Sequence, residues 1–307
     1  MKGLYDVPAP AKLNLFLHVT GRRPDGMHLL QSVFMLVDWC DTLHFELRPA
    51  GLSREDLRAP LPTDDLCLRA ARALQQSSGC TQGVHIAIDK RLPSQAGMGG
   101  GSSDAATCLL ALNRLWGLGL RLPALEAIGL SLGADVPFFL RGRNAWVEGI
   151  GEQITPLDLP PARFLVVKPP QGLETGRMFT DPGLNRSTKP AILSGFAAVH
   201  SDTPSDTPGR PDNDASMCER VYGFGHNDLQ PVAQRLCPGM SEALAWLSAQ
   251  GLRGRMTGSG SAVFARLAPG VQPGPPPSGW PNGWVMKTCS NLDVHPLVGW
   301  AASDSHR

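Results

Sequence analysis

The chain has 307 residues, of which 42% are hydrophobic and 18% are charged, so it can form two domains with separate cores and is not expected to be disordered. Its formal net charge of +1 argues against partners held by bulk electrostatics, such as nucleic acid or a membrane surface, and no apolar run is long enough for a signal peptide or a membrane span. The seven cysteines are odd in number, widely spaced and without a C-x-x-C pair, which indicates reduced thiols in the cytoplasm rather than a disulfide framework or a zinc site.

The first predicted element is a strand over residues 11–19, where apolar and polar side chains alternate. A leucine stripe forms one face of this strand. Lys12 and Asn14 fall together on the opposite face. A lysine in such a position usually points into solvent, but a lysine that faces a reaction centre can stabilise developing negative charge.

Further strands and helices are predicted in the rest of the first half. In chain order these are strands near 29–37 and 42–47, a helix over 64–76, a strand over 84–89 and a helix over 102–116. Ser102 is a candidate N-cap of the last helix, and Asp104 would place negative charge in its first turn.

The second half is predicted to alternate helices and strands as well. In order it contains a helix over 123–133, a buried strand near 164–167, a mobile surface insertion at 200–216, a helix over 240–250 with Ser241 as a possible cap, a loop over 268–283, a strand over 283–290 and a tail that frays after Gly299. Asp135 lies in a tight turn before Pro137, where an aspartate is commonly only a turn former. The pattern indicates an α+β fold, and we place two domains at 1–160 and 161–299.

A glycine-rich loop, with Gly97, Gly99, Gly100 and Gly101, precedes the 102–116 helix. Glycines let backbone N–H groups approach a ligand, and a helix N-terminus adds further unpaired N–H groups at the same spot. We therefore expect an anion site, most simply for a nucleotide phosphate. The loop is not a Walker A motif, because no Gly-Lys-Ser/Thr follows, and it is not a dinucleotide fingerprint, because Ser102 replaces the third glycine.

Three motifs together resemble those of the GHMP kinases, the superfamily that includes galactokinase, homoserine kinase and mevalonate kinase. They are residues 10–17 (PAKLNLFL), 93–103 (PSQAGMGGGSS) and 256–264 (MTGSGSAVF), in the superfamily's order. Residues 23–28 (RPDGMH), 89–93 (DKRLP) and 132–137 (LGADVP) are similar to one branch, whose members phosphorylate a cytidine diphosphate-linked alcohol.

The resemblance implies a two-domain fold with the active site in the cleft between the domains, and ATP with Mg²⁺ as cofactors. It implies Lys12 and Asp135 as the catalytic pair, with Asp135 acting on the substrate hydroxyl. Gly258, Ser259 and Gly260 would form a supporting loop. Ser102 or Ser103 is a possible Mg²⁺ ligand. The implied ATP-binding residues are Pro93, Ser94, Gln95, Ala96, Gly97, Met98, Gly99, Gly100, Gly101, Ser102 and Ser103.

For the acceptor, the resemblance implies substrate contacts from Asn14, His28, Thr175 and Phe179. A neutral histidine can hydrogen-bond a pyrimidine edge, and an aromatic ring can stack on it. The chain departs from the branch at two positions. Met27 stands where a tyrosine often precedes the histidine, so one face of the cytosine site would be a thioether. Asp65 stands where an asparagine is common, which puts an adenine contact from Asp65 in doubt.

Three other functions stay open on the sequence alone. Another GHMP kinase for a different small alcohol would differ in the cytidine-binding groups. A non-catalytic GHMP-fold sensor would need neither Lys12 nor Asp135. A dinucleotide-binding oxidoreductase would need the missing third glycine. We expect a small-molecule substrate, no nucleic acid or membrane partner, and a cytoplasmic monomer or weak homodimer.

Overall fold

In the computed structural model, which describes residues 2–58, 60–193, 196, 213–280 and 282–302, the first half of the chain forms a six-stranded mixed sheet. Its strands are β1 (Gly3–Arg22), β2 (His28–Arg48), β3 (Leu52–Asp56), β4 (Gly83–Asp89), β5 (Ala145–Gly149) and β6 (Gln153–Pro156). The spatial order is β3-β4-β2-β5-β6, with β1 paired to β2 along its length. Only the β3–β4 pairing in this sheet is parallel among the described residues.

Four helices pack on this sheet and close the first core. They are α1 (Leu66–Ser78), α2 (Gly100–Leu115), α3 (Leu122–Leu132) and α4 (Val136–Arg141). The helix α2 is buried along almost its whole length, including Leu109 and Leu112. It therefore holds the glycine loop against the middle of the molecule.

The second half forms a four-stranded antiparallel sheet in the order β10-β7-β9-β8. Its elements are β7 (Arg163–Lys168), α5 (Thr175–Thr180), α6 (Asn213–Gly223), α7 (Gln230–Leu236), α8 (Pro238–Ala249), β8 (Arg255–Met256), β9 (Val263–Leu267) and β10 (Val285–Ser290). The predicted α+β class is confirmed. The division at 160/161 stays a prediction, and it would separate the two sheets.

Strand β1 joins the two halves, because its residues belong to all three hydrophobic clusters. Ala9 packs in the first core, Leu13 in the second and Leu17 in the third. As a result, the predicted polar face of this strand is not solvated: Lys12 is 4% and Asn14 is 1% exposed. Burying a lysine and an asparagine requires partners for both, and these partners form the site described below.

Several predicted boundaries are wrong. The strands expected at 29–37 and 42–47 are one strand, β2, because pairing with β1 resumes at Cys40 after a register shift that follows Leu36. Helix α2 begins at Gly100 after Gly99, so Ser102 lies inside the helix and is not its N-cap. Asp104 therefore lies beyond the first turn, which holds no acidic residue, and it is buried. The left-handed backbone at Gly99 sets the start of the helix, in spite of the local capping preference of Ser102.

Differences also occur in the second half of the chain. Helix α8 begins at Pro238, which places Ser241 inside it rather than at its cap. Trp300, in the tail expected to fray, packs on the first core, and residues 303–307 lie outside the described range. The insertion predicted at 200–216 lies outside the described residues up to 212, while 213–216 begin α6.

All seven cysteines lie within the described ranges and are free thiols. Within those same ranges, none of the helices has the length and apolar character needed to cross a bilayer.

Candidate active site

A cleft of about 600 Å³ lies between the two halves of the molecule. It is lined by most of the residues singled out from the sequence, namely Lys12, Asn14, residues 93–102, Asp135, Thr175, Phe179 and Gly258 to Gly260. Ser103 and His28 are not among its lining residues. The structure therefore brings the glycine loop, the proposed catalytic pair and most of the acceptor residues to one place.

The glycine loop needs glycine for packing as well as for ligand approach. Gly97 and Gly99 adopt left-handed backbone conformations, with φ of 73° and 71°. A Cβ added to Gly97 would lie 2.2 Å from the Thr257 carbonyl oxygen, and one on Gly99 would lie 2.9 Å from the Phe139 ring. Gly100, which begins α2, lines the cleft together with the next residues. Because the first N–H groups of a helix lack intrahelical acceptors, this end of the cleft favours an anion.

The supporting loop after β8 packs backbone to backbone against the glycine loop. Ser261 N donates to the Gln95 carbonyl at 3.1 Å, and the Thr257 hydroxyl donates to the Gly97 carbonyl at 3.3 Å. The same hydroxyl accepts from Asn14 N at 2.9 Å. Thr257 thus links β1, the glycine loop and the second half of the chain.

Asn227 is a buried residue that sequence reasoning missed. Its side-chain amide donates to the carbonyls of Met256 and Gly258, both at 2.9 Å, so it holds the supporting loop on either side of Thr257. The neighbouring backbone pairs with Leu17 of β1. An asparagine near a helix start reads locally as a turn or cap residue, and no local pattern indicates contacts about thirty positions away.

Lys12 and Asp135 form an ion pair inside the cleft. The Lys12 Nζ lies 3.5 Å from Asp135 Oδ2, donates to Asn14 Oδ1, and sits 4.4 Å above the Phe34 ring. Burial lowers the pKa of Lys12, and the Asp135 carboxylate opposes part of that shift. The Asp135 side chain is 31% exposed, so its carboxylate remains accessible from the cleft.

Asp135 lies in the predicted turn, after α3. It immediately precedes the short helix α4, which the sequence reading missed, and its side chain makes no capping hydrogen bond. A carboxylate at a helix N-terminus is electrostatically favoured, so the helix supports the charge without using the oxygens. This leaves the carboxylate available to a ligand.

Ser32 orients Asn14 and was also missed. The Asn14 amide donates to the Ser32 hydroxyl at 2.9 Å, and that hydroxyl donates to the Phe16 carbonyl. Since the amide nitrogen is held by Ser32, the amide oxygen is directed at Lys12. The chain of hydrogen bonds runs across β1 and β2, whose pairing no short motif encodes.

The structure corrects the role predicted for Ser103 and gives Asp65 partners of its own. The Ser103 hydroxyl is fully buried and donates to the Pro10 carbonyl at 2.7 Å, so Ser102 is the serine of the pair that faces the cleft. The Asp65 carboxylate caps α1 by accepting from Leu68 N and pairs with Arg54 at 2.9 Å. These partners occupy Asp65 and account for the acid at that position without an adenine contact.

At the acceptor end, the rings of His28 and Phe179 lie against each other, with centroids 5.1 Å apart and planes at 32°. No space for a base remains between them, so a base would bind across the pair. The Thr175 hydroxyl shares a 2.7 Å hydrogen bond with the Ser259 hydroxyl. Met27 is 47% exposed in the preceding turn.

Beside the start of α2 lies a cluster of one lysine and two buried aspartates, which sequence reasoning did not find, and its lysine, Lys90, also lines the cleft. Lys90 bridges the carboxylates of Asp41 and Asp104, and Asp41 also accepts from the backbone N–H groups of Arg91 and Leu92. Although burial opposes it, the two carboxylates raise the pKa of Lys90. Burial raises the pKa of Asp104 to about 7, with Lys90 opposing and Asp41 adding to the shift.

Because of this cluster, we expect the free energy of unfolding to depend on pH. The folded protein retains a proton on Asp104 that the unfolded chain releases near its ordinary pKa of about 4. The contribution of Asp104 to the free energy of unfolding is therefore fully present below about pH 4 and is lost as the pH rises to about 7. The Asp104→Asn variant lacks this proton, so its stability relative to wild type should rise over that range.

Urea unfolding at about pH 5 and about pH 8 measures the effect as a difference between wild type and variant. Asp25→Asn is the control, because the Asp25 side chain is 49% exposed. A difference between wild type and Asp104→Asn that is the same at both pH values would contradict the prediction.

Comparison with known proteins agrees with the motifs. Residues 65–143 match the GHMP kinases N terminal domain, and residues 214–270 match the GHMP kinases C terminal domain. A protein of Variovorax paradoxus (strain S110) named 4-diphosphocytidyl-2-C-methyl-D-erythritol kinase is 64% identical over 98% of this chain and 100% of its own length. One of Paracidovorax citrulli (strain AAC00-1) with the same name is 61% identical over 99% and 100%. A crystal structure of 4-(cytidine 5'-diphospho)-2C-methyl-D-erythritol kinase superposes with a TM-score of 0.67 at 33% identity, covering 92% of this chain and 98% of that one.

Proposed function

The chain belongs to the 4-diphosphocytidyl-2-C-methyl-D-erythritol kinase family of GHMP kinases, and on that premise we propose that it transfers the γ-phosphoryl group of ATP to the 2-hydroxyl of 4-diphosphocytidyl-2-C-methyl-D-erythritol. The products are ADP and the 2-phosphate, an intermediate of the methylerythritol phosphate route to isoprenoid precursors. The observation that carries the proposal is the Lys12–Asp135 pair, which lines the same cleft as the glycine loop.

The glycine loop and the start of α2 would hold the ATP phosphates. Their backbone N–H groups and the helix dipole suit a polyphosphate, and residues 93–102 line the cleft from end to end of the loop. Mg²⁺ would accompany ATP and neutralise charge on the phosphates. A hydroxyl is a hard oxygen donor that fits this ion, and the Ser102 side chain lines the cleft.

Asp135 and Lys12 would carry the transfer step. Phosphoryl transfer depends on positioning and charge stabilisation more than on covalent chemistry. The accessible Asp135 carboxylate would orient the acceptor hydroxyl and take its proton as the oxygen attacks phosphorus. The ammonium of Lys12, held by Asn14, would stabilise negative charge on the transferring group.

The acceptor would extend from this pair toward α5. Asn14 and Thr175 line the cleft on the way and would contact the alcohol and its phosphates. His28 and Phe179 lie beyond them as a ring pair suited to a pyrimidine, with Phe179 at the cleft edge. Ser259, which is hydrogen-bonded to Thr175, would connect the supporting loop to this end of the site.

We propose further that the chain acts in the cytoplasm as a monomer or weak homodimer, organised as domains 1–160 and 161–299. Seven free thiols support a reducing compartment. Two separate sheets on either side of residues 157–162 support the domain division.

The proposed reaction is tested by measuring ADP formation with ATP and Mg²⁺ against a panel of alcohols. The panel holds 4-diphosphocytidyl-2-C-methyl-D-erythritol, mevalonate, homoserine and galactose, with the Asp135→Ala variant as blank. We expect turnover of the cytidylated alcohol alone. Turnover of another alcohol would keep the cleft and its pair but discard His28 and Phe179 as base-binding groups. No turnover of any alcohol, with ATP still bound, would favour a non-catalytic sensor.

A further inference from the structure

One arginine, outside every motif of the sequence, connects the two rings at the acceptor end. Arg186 follows α5, and its guanidinium donates through Nε to His28 Nε2 at 3.1 Å. The Nη2 group donates to the carbonyls of Phe179 at 2.9 Å and Asp181 at 2.8 Å, and Nη1 donates to the Leu184 carbonyl at 3.1 Å. A single planar group therefore fixes the ring of His28 and the backbone of Phe179 relative to each other.

The direction of the Arg186–His28 hydrogen bond determines where His28 carries its proton. A guanidinium has five N–H donors and no acceptor, so His28 Nε2 must be the acceptor and must be unprotonated. A neutral imidazole then carries its hydrogen on Nδ1. Burial, together with the charges of Arg186 and Arg22, lowers the pKa of His28 and so favours the neutral ring. Within the described part of the chain, Nδ1 makes no hydrogen bond that would use this hydrogen.

A donor at Nδ1 distinguishes the two common pyrimidines. The N3 atom of cytosine is an acceptor, whereas N3 of uracil carries a hydrogen and is a donor. An Nδ1–H group can donate a hydrogen bond to cytosine N3. It cannot do so to uracil N3–H, because two donors that face each other both lack an acceptor. The opposite tautomer of His28 would reverse this preference.

We propose that Arg186 is a positioning residue that holds His28 in the Nδ1–H tautomer beside Phe179 and thereby selects a cytidine over a uridine acceptor. The inference rests on the proposed function, because it assigns the base that the acceptor end of that site reads. Arg186 contacts neither the Lys12–Asp135 pair nor the glycine loop. It acts through His28 and through the backbone of Phe179.

The test compares kcat/KM for the cytidylated alcohol and for its uridine counterpart, in wild type and in Arg186→Met, which keeps the apolar stem and removes every donor. In the variant the cytidine-to-uridine ratio should fall by roughly 10–100-fold, the scale of one mispaired buried hydrogen bond. A merely structural role would lower both rates together and leave the ratio unchanged. In His28→Ala the cytidine-to-uridine ratio should fall by the same factor. The double variant His28→Ala/Arg186→Met should show no further fall in that ratio.

Arg235→Met is the matched control. Arg235 donates to the Asp181 carboxylate at 2.6 Å, so it braces the same loop, but it touches neither ring. The cytidine-to-uridine ratio of Arg235→Met should stay at the wild-type value. A ratio in Arg186→Met within about twofold of wild type, or an equal fall in Arg235→Met, would overturn the assignment.

The tautomer is measured on the wild type itself, so the inference does not depend on a variant that folds. The ¹⁵N shifts of His28 should show Nε2 unprotonated and Nδ1 protonated near neutral pH. The reverse pattern would overturn the inference. If wild type fails to phosphorylate the cytidylated alcohol, the proposed function fails. Calorimetric binding of CDP against UDP then tests the selection separately, and equal affinities would reject it.

Discussion

Replacing Asp135 by alanine is expected to lower kcat by about 10²–10⁴-fold, the usual contribution of a positioned acid or base, while ATP still binds with near wild-type affinity. The reason is geometric. The carboxylate is accessible in the cleft, forms an ion pair with Lys12, and makes no capping bond to α4. The phosphate contacts proposed for ATP come instead from the backbone of the glycine loop. Steady-state kinetics gives kcat, and calorimetry with a non-hydrolysable ATP analogue gives the affinity.

Two further variants make the Asp135 result specific. Asp135→Asn keeps the shape but cannot accept a proton as the carboxylate does, so it should lose nearly as much activity as the alanine variant. Glu126→Ala removes an acid that pairs with Arg141 at the other end of α4, outside the cleft lining, and should leave kcat within about twofold of wild type. A kcat near wild type in Asp135→Ala would remove this residue from the mechanism.

Gly97→Ala is expected to weaken ATP binding by at least about tenfold, because two independent costs arise at one position. The backbone φ of 73° is unfavourable for a residue with a side chain. The added methyl would lie 2.2 Å from the Thr257 carbonyl oxygen and 2.8 Å from Gly260 N, which are backbone atoms of the supporting loop. The two loops must separate to admit it, and the phosphate-binding backbone would move with them.

Gly117→Ala separates the two costs. Gly117 follows α2 with a φ of 66°, but a Cβ there would meet no atom within 4 Å. It should therefore lose only the stability that a strained backbone costs, about 1 kcal/mol, and bind ATP as wild type does. Isothermal calorimetry with ATP and thermal unfolding of both variants give the comparison. Wild-type ATP affinity in Gly97→Ala would show that the contact between the loops does not shape the phosphate site.

The sequence allows the centre of the site to be predicted because its chemistry is encoded in short, continuous patterns. The glycine loop and the helix after it are local features. Lys12 and Asp135 each lie in a short motif of the family, so the resemblance assigns them to the same site. The same local reasoning fails where the fold imposes its own geometry. Ser102 is a good capping residue, yet Gly99 occupies the N-cap, because the backbone there is left-handed and a Cβ would collide with the Phe139 ring.

The residues that were missed all act across long sequence separations. Asn227, Ser32 and Arg186 are ordinary polar residues in their local context, and each gains its role from partners on other elements. The Lys90 cluster joins β2, the residue that follows β4, and α2, and no periodicity links these segments. Such roles depend on tertiary pairing, which a single sequence does not state.

In the proposed reaction this cleft transfers a phosphoryl group from ATP to the cytidylated alcohol. The most direct test is ³¹P NMR of the wild-type enzyme with ATP, Mg²⁺ and 4-diphosphocytidyl-2-C-methyl-D-erythritol. We expect equal amounts of ADP and a new phosphomonoester, with the diphosphate of the acceptor intact. Formation of inorganic phosphate without the phosphomonoester, or release of CMP from the acceptor, would show that this transfer does not occur.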